Sequence, residues 1–208
     1  MLEENRPTKF IGVYNMSLSF QINRRRMKIE STEITVVILK QKNINIIVRE
    51  ELGHLLLIDA ADCREMFLLA SLFKHSMESH DVIFLEREDD SKTDLFIFNG
   101  AIKPLALKDL RKIKTSMRFI KPEIYSLPLI NSYDERIWDT YGHWKYDEQL
   151  RVKADKDLGL INASQLGFEL LVDQCSYLAS SFSGHAHFNW YSTKSSIELI
   201  IRNIARNN

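Results

Sequence analysis

Two stretches of the chain run through the same order of elements, and that order limits the fold more than any bulk property does. In the first, the apolar residues 55–58 lead to Asp59 and a helical stretch over 60–79. Ser79-His80 and a strand over 82–85 follow, then a polar loop and a strand over 94–98. In the second, Leu150, Val152 and Ala154 alternate as a strand before Asp155, and a helical stretch ends near Phe182. Gly184-His185 then precedes a strand-like run over 186–190, a polar turn and a strand over 198–201. Strand, acid, helix, histidine, strand, loop, strand, read twice, predicts an α+β chain of two β-α-β-β units. Each unit is expected to be an antiparallel sheet with one helix packed on it. An internal duplication would account for the pair, with the units meeting about a pseudo-twofold axis or merging into one sheet.

The periodicities support these elements. Cys63, Met66, Phe67, Ala70, Phe73 and Met77 recur every three or four residues, as on one face of a helix. Leu166, Leu170, Leu171, Cys175, Leu178 and Phe182 do the same in the second unit, and Gly184 suits that helix's exit. Asp62 followed by Glu65 reads as a capping box with Asp in the Ser/Thr place. Residues 8–58 read as four or five strands, most simply an antiparallel meander added to the first unit, with candidates at 10–14 and at Leu18, Phe20 and Ile22. The expected organisation is a β-rich unit over 1–100, an aromatic, proline-containing connecting segment over 101–147, and the second unit over 148–208. Met16 and Met27 are alternative starts, which makes residues 1–15 a candidate extension.

Composition narrows the class of partner. Lys+Arg and Asp+Glu are both 28, so the formal charge is zero. Nucleic-acid binders generally carry a basic excess, so neutrality argues against nucleic acid as the main partner. Two basic runs stand against that sum: Arg24-Arg25-Arg26, and 103–121, where Lys108, Arg111, Lys112 and Lys114 fall in a short helical stretch with Phe119 close by. Such runs bind single strands when aromatics interleave them, and otherwise form solvated faces. The two cysteines, Cys63 and Cys175, fall within helical stretches and read as core thiols, with a bridge between the units left open. No apolar run approaches the ~20 residues of a membrane helix, so no membrane partner is expected and the cytoplasm is the expected compartment.

Chemistry is thin. Gly184-His185-Ala186-His187 sets two imidazoles on one side of a strand, two corners of a metal site, with His143, Asp147, Asp155 or Asp157 as distant candidates for the rest. Asp59, Asp62, Asp155 and Asp157 sit where strands are expected to enter helices and read as caps. No G-x-S-x-G, phosphate loop or dinucleotide fingerprint occurs in the sequence. The aromatic residues Trp138, Tyr141, Trp144 and Trp190, with His185 and His187, form the expected partner surface, since Tyr and Trp anchor interfaces well.

The C-terminal unit resembles a group of small bacterial immunity proteins of polymorphic toxin systems. The residues that carry the resemblance are Ala154-Asp155-Lys156-Asp157-Leu158-Gly159-Leu160, a leucine-rich helix, Gly184-His185-Ala186-His187, and Ser196-Ile197-Glu198-Leu199-Ile200-Ile201. The extra Asp157-Leu158 departs from the pattern, and 1–147 lie outside it. The resemblance implies a non-catalytic protein that neutralises a toxin domain by binding it, without a cofactor. The alternatives are a metal-dependent hydrolase built on His185 and His187, and a nucleic-acid-binding regulator using Arg24, Arg25 and Arg26.

Overall fold

The computed structural model describes residues 19–133, 149–155, 157–181, 183–189 and 192–205. The strand candidate at 10–14 lies outside them. The described elements are, in chain order, β1 (Ser19–Ile29), β2 (Thr32–Lys40), β3 (Ile46–Glu51), β4 (Leu55–Ala60), α1 (Cys63–Ser79), β5 (Val82–Glu86), β6 (Asp94–Phe98), α2 (Leu107–Ser116), β7 (Glu123–Pro128), β8 (Leu150–Asp155), β9 (Leu158–Ala163), α3 (Gln165–Ser180), β10 (Gly184–His187) and β11 (Glu198–Asn203).

The chain is α+β, with three described α-helices and two sheets. The larger sheet has the order β7-β1-β2-β5-β6-β9-β8 and the smaller β10-β11-β4-β3. This corrects the expectation of one antiparallel sheet per unit. Both sheets are mixed, and each draws strands from both halves of the chain: β6 pairs in parallel with β9, and β11 with β4. The N-terminal strands are no single meander either. β1 and β2 pair antiparallel in the large sheet, while β3 and β4 pair in the small one.

The physical reason lies in the helices. α1 buries Met66, Leu68, Leu69, Ala70, Leu72 and Phe73 over most of its circumference, and α3 buries Phe168, Leu170, Leu171, Cys175, Leu178 and Ala179. Helices buried over most of their circumference need cover on more than one side. They share a core with the inner faces of both sheets, Ile83, Leu95, Ile97 and Ile161 from the large one and Val48, Leu56, Ile58 and Ile201 from the small one. At α3, a Cβ on Gly167 would stand 2.4 Å from the Gln149 carbonyl oxygen, so glycine permits that close approach. The other face of the large sheet packs Phe84, Phe96 and Leu160 beneath Leu110, Ile113 and Met117, the apolar side of α2 and the turn after it.

The two halves correspond element by element. β3-β4-α1-β5-β6 and β8-β9-α3-β10-β11 have the same antiparallel pairs at their ends, and the order β5-β6-β9-β8 becomes β10-β11-β4-β3 when each strand is exchanged for its counterpart. Registers agree: Ile46 faces Ala60 as Leu150 faces Ala163, and Asp94 faces Leu158 as Glu198 faces Leu55. Past the last strands, Asn99 Oδ1 accepts from the Ala101 amide at 3.1 Å and Asn203 Oδ1 from the Ala205 amide at 3.2 Å. The counterpart of β4 is therefore β9, and the strand ending at Asp155 is the counterpart of β3. Asp155 and Asp157 flank the turn between β8 and β9, so they do not enter a helix. Ser164 caps α3, its hydroxyl accepting from the Gly167 amide at 3.2 Å, and Gly184 opens β10. Cys63, at the first turn of α1, is exposed, whereas Cys175 is buried; both are free thiols, so no bridge joins the halves.

Asp62 caps α1, accepting from the Arg64 amide at 2.7 Å and the Glu65 amide at 3.3 Å. Burial first, and then the neighbouring Asp62 carboxyl, push Glu65 up to about 7. A side-chain hydrogen bond from Glu65 chiefly holds Asp62 below its ordinary value. Because the Glu65 value is raised on folding, the folded chain holds the extra proton between its ordinary 4.5 and about 7, and stability falls as pH rises through that window. Glu65→Gln is expected to flatten this fall, by on the order of 1 kcal/mol after solvent screening. Urea unfolding of both proteins across the window measures it.

Candidate functional site: the outer face of the small sheet

The pleat sets alternate rows of the small sheet on opposite sides. The row Ala186, Ile201, Ile58, Val48 faces the core. The rows on either side of it face outward: His187, Ile200, Leu57, Arg49, and His185, Arg202, Asp59, Ile47. His185 and His187 thus share one side of β10, as their spacing predicts. Both are exposed, with ring centroids 5.1 Å apart.

Asp59 is the electrostatic centre of this face. It is 3% exposed, yet it sits within a strand and caps no helix, which corrects its reading as a cap. Arg202 grips it in the paired geometry of a guanidinium on a carboxylate, Nε to Oδ1 at 2.7 Å and Nη2 to Oδ2 at 2.9 Å. Arg49 Nη2 donates to Oδ2 at 2.6 Å from the other neighbouring strand. The hydrogen bond to Asp59 raises the Arg202 pKa above its ordinary value. At the edge, His187 Nδ1 donates to Glu198 Oε1 at 2.6 Å. The face thereby presents two ordered arginines and two imidazoles around Ile200, with Glu198 and Glu51, the latter 3.9 Å from Arg49, along one side and the Asp59 carboxylate buried between the guanidiniums.

Glu198 is the carboxylate beside the histidine pair, and among the described residues no cluster of three His, Cys, Asp or Glu side chains has the arrangement to hold a metal ion. The repeated order of elements matches His80 to His185. By register the counterparts of His185 and His187 are Val82 and Phe84, and His80 is the left-handed C-cap of α1 with φ of 60°. Trp138, Tyr141, Trp144 and Trp190 lie outside the described residues, as does His143.

The arginine run is divided by the strand that carries it. Arg24 bonds Asp81 at 2.9 Å and lies 4.7 Å over the Tyr125 ring, where His75 Nε2 also meets Asp81 at 2.9 Å. Arg25 Nη1 donates to the Met117 carbonyl on the other side, and Arg26 pairs with Glu33 at 3.4 Å on the surface. The three guanidiniums therefore form no common patch. Among the described residues no helix is long and apolar enough to cross a membrane.

Sequence reasoning missed Asp59, Arg49 and Arg202 as a unit. Arg202 lies 143 positions from Asp59 in sequence, and no local spacing signals that contact. In comparison with known proteins, the chain matches no family model, no curated protein and no solved structure.

Proposed function

We propose that the chain is a non-catalytic, cytoplasmic binding protein that takes a protein partner on the outer face of the small sheet, and that it serves as an immunity protein against a bacterial toxin domain. One observation carries the reading. The counterpart of this face in the large sheet, with Phe84 and Phe96 in the places of His187 and Ile200, is covered within the chain by α2. In the small sheet that surface instead carries two exposed histidines and two half-buried arginines fixed by Asp59, with Glu51 and Glu198 beside them, which suits a partner recognised by preset hydrogen bonds and mixed charge. The matched strand orders and registers support a duplicated ββαββ unit as the origin of both halves, with apolar packing under α2 on one outer face and histidines, arginines and carboxylates on the other.

The test is co-expression with the toxin domain encoded beside this chain. Rescue of growth and a co-purifying complex are expected. His185→Glu and Ile200→Glu are expected to weaken the complex by about tenfold or more each, as placing a carboxylate near an interface centre does. No rescue and no complex would overturn the proposal.

A further inference from the structure

A second surface concentrates positive charge on the opposite side of the large sheet. α2 and the turn Met117–Phe119 turn Leu110, Ile113 and Met117 inward and leave Arg111, Thr115 and Arg118 exposed. Two hollows flank this ridge. One, of about 420 Å³, lies between β1, the ends of β2 and β5, and α2, and is lined by Arg25, Lys40, Lys114 and Arg118 with Glu86 as its acid. The other, of about 360 Å³, is lined by Arg111, Lys114 and Arg118 with Asp157 as its acid. Lys114 and Arg118 border both, so the hollows form one track with five cations against two acids.

Two of these cations are held in place. Lys114 Nζ meets the buried Asp94 carboxylate at 2.5 Å, and Arg25 is tied to the Met117 carbonyl. Lys40, Arg111 and Arg118 make no ion pair with any described residue. Directly after Arg118, Phe119 is 87% exposed. A hydrophobic ring kept in water beside unpaired guanidiniums matches the way single strands are held, phosphates by charge and bases by stacking. A duplex offers no free base face to Phe119, and an acidic peptide has no use for one. The chain's neutrality is a sum over the whole surface and does not describe this track.

We infer that the track along α2 binds single-stranded nucleic acid, with Arg111 and Arg118 on the phosphates and Phe119 stacked on a base. The probe is a fluorescein-labelled oligothymidylate of about 20 nucleotides, long enough to overrun one such site, and the readout is anisotropy against salt. Binding is expected at low salt and should weaken with a log–log slope of about −1.4 for the two phosphate contacts. Arg111→Glu with Arg118→Glu is expected to weaken it at least tenfold and to flatten the slope. Phe119→Ala is expected to weaken it about tenfold with the slope unchanged. Lys194→Glu, at an exposed turn off the track, is expected to leave it unaltered, and circular dichroism should show every variant folded. The inference is overturned by absence of binding at low salt, by equal affinity for duplex or for polyglutamate, or by indifference to the arginine reversals or to Phe119→Ala.

Discussion

Phe168→Ala is expected to destabilise the chain by about 3–5 kcal/mol, the range for removing a fully buried aromatic ring. Phe168 is 0% exposed on α3 and faces Phe73 on α1, with centroids 6.4 Å apart and planes tilted by 48°. That pair joins the helices of the two halves, and both sheets share the core around it. A cavity there loosens the joint between halves as well as one helix, and backbone around two sheets has little freedom to collapse into it. The measurement is urea or thermal unfolding, with a fall in Tm of roughly 6–20 °C for a chain of this size. Phe119→Ala, which removes the same ring from an exposed turn, is expected to stay within about 0.5 kcal/mol of the parent. If the two substitutions cost the same, the helix pair is not the common core of the two sheets.

Local signals carried much of this fold. The three- and four-residue spacing from Met66 to Phe73 located α1, and Asp62 with Glu65 marked its start. The order of elements was legible in both halves because strands, helices and turns each leave a short-range pattern. What escaped was the run Leu158–Ala163, which falls inside the helical stretch expected between Asp155 and Phe182 and is the strand β9. The short apolar run Leu158–Ile161 has no alternation of polar and apolar residues to set it apart from helix, and its partner β6 is far away in the chain. Parallel pairing always requires a crossover, so sheets shared between halves leave no adjacent-residue trace. The candidate site divides the same way. His185 and His187 fall on one side of β10 because the pleat has a period of two. The run Arg24, Arg25 and Arg26 looked like one patch for want of that same consideration: neighbours in a strand point apart. Asp59 reads as a helix cap until Arg49 and Arg202 arrive from the strands on either side.

Those two arginines set up the other large effect. Arg49→Met combined with Arg202→Met is expected to cost about 3–5 kcal/mol, because it strands a buried carboxylate without a counter-charge. Asp59 is 3% exposed, so water cannot take the place of the guanidiniums without opening the sheet. Each single substitution leaves one partner, Arg49 at 2.6 Å or Arg202 at 2.7 Å and 2.9 Å, and is expected to cost less than half of the double. Adding Asp59→Leu to the double variant removes the stranded charge and completes an apolar row with Ile47, and it is expected to restore most of the lost stability. Urea unfolding of the single, double and triple variants gives the comparison directly. The triple variant also separates folding from recognition: it should be folded and yet bind the proposed partner poorly, since the face has lost both fixed cations. A double variant as stable as the parent would show that Asp59 needs no counter-charge where it stands, and a triple variant that binds as well as the parent would remove the small sheet from the proposed interface.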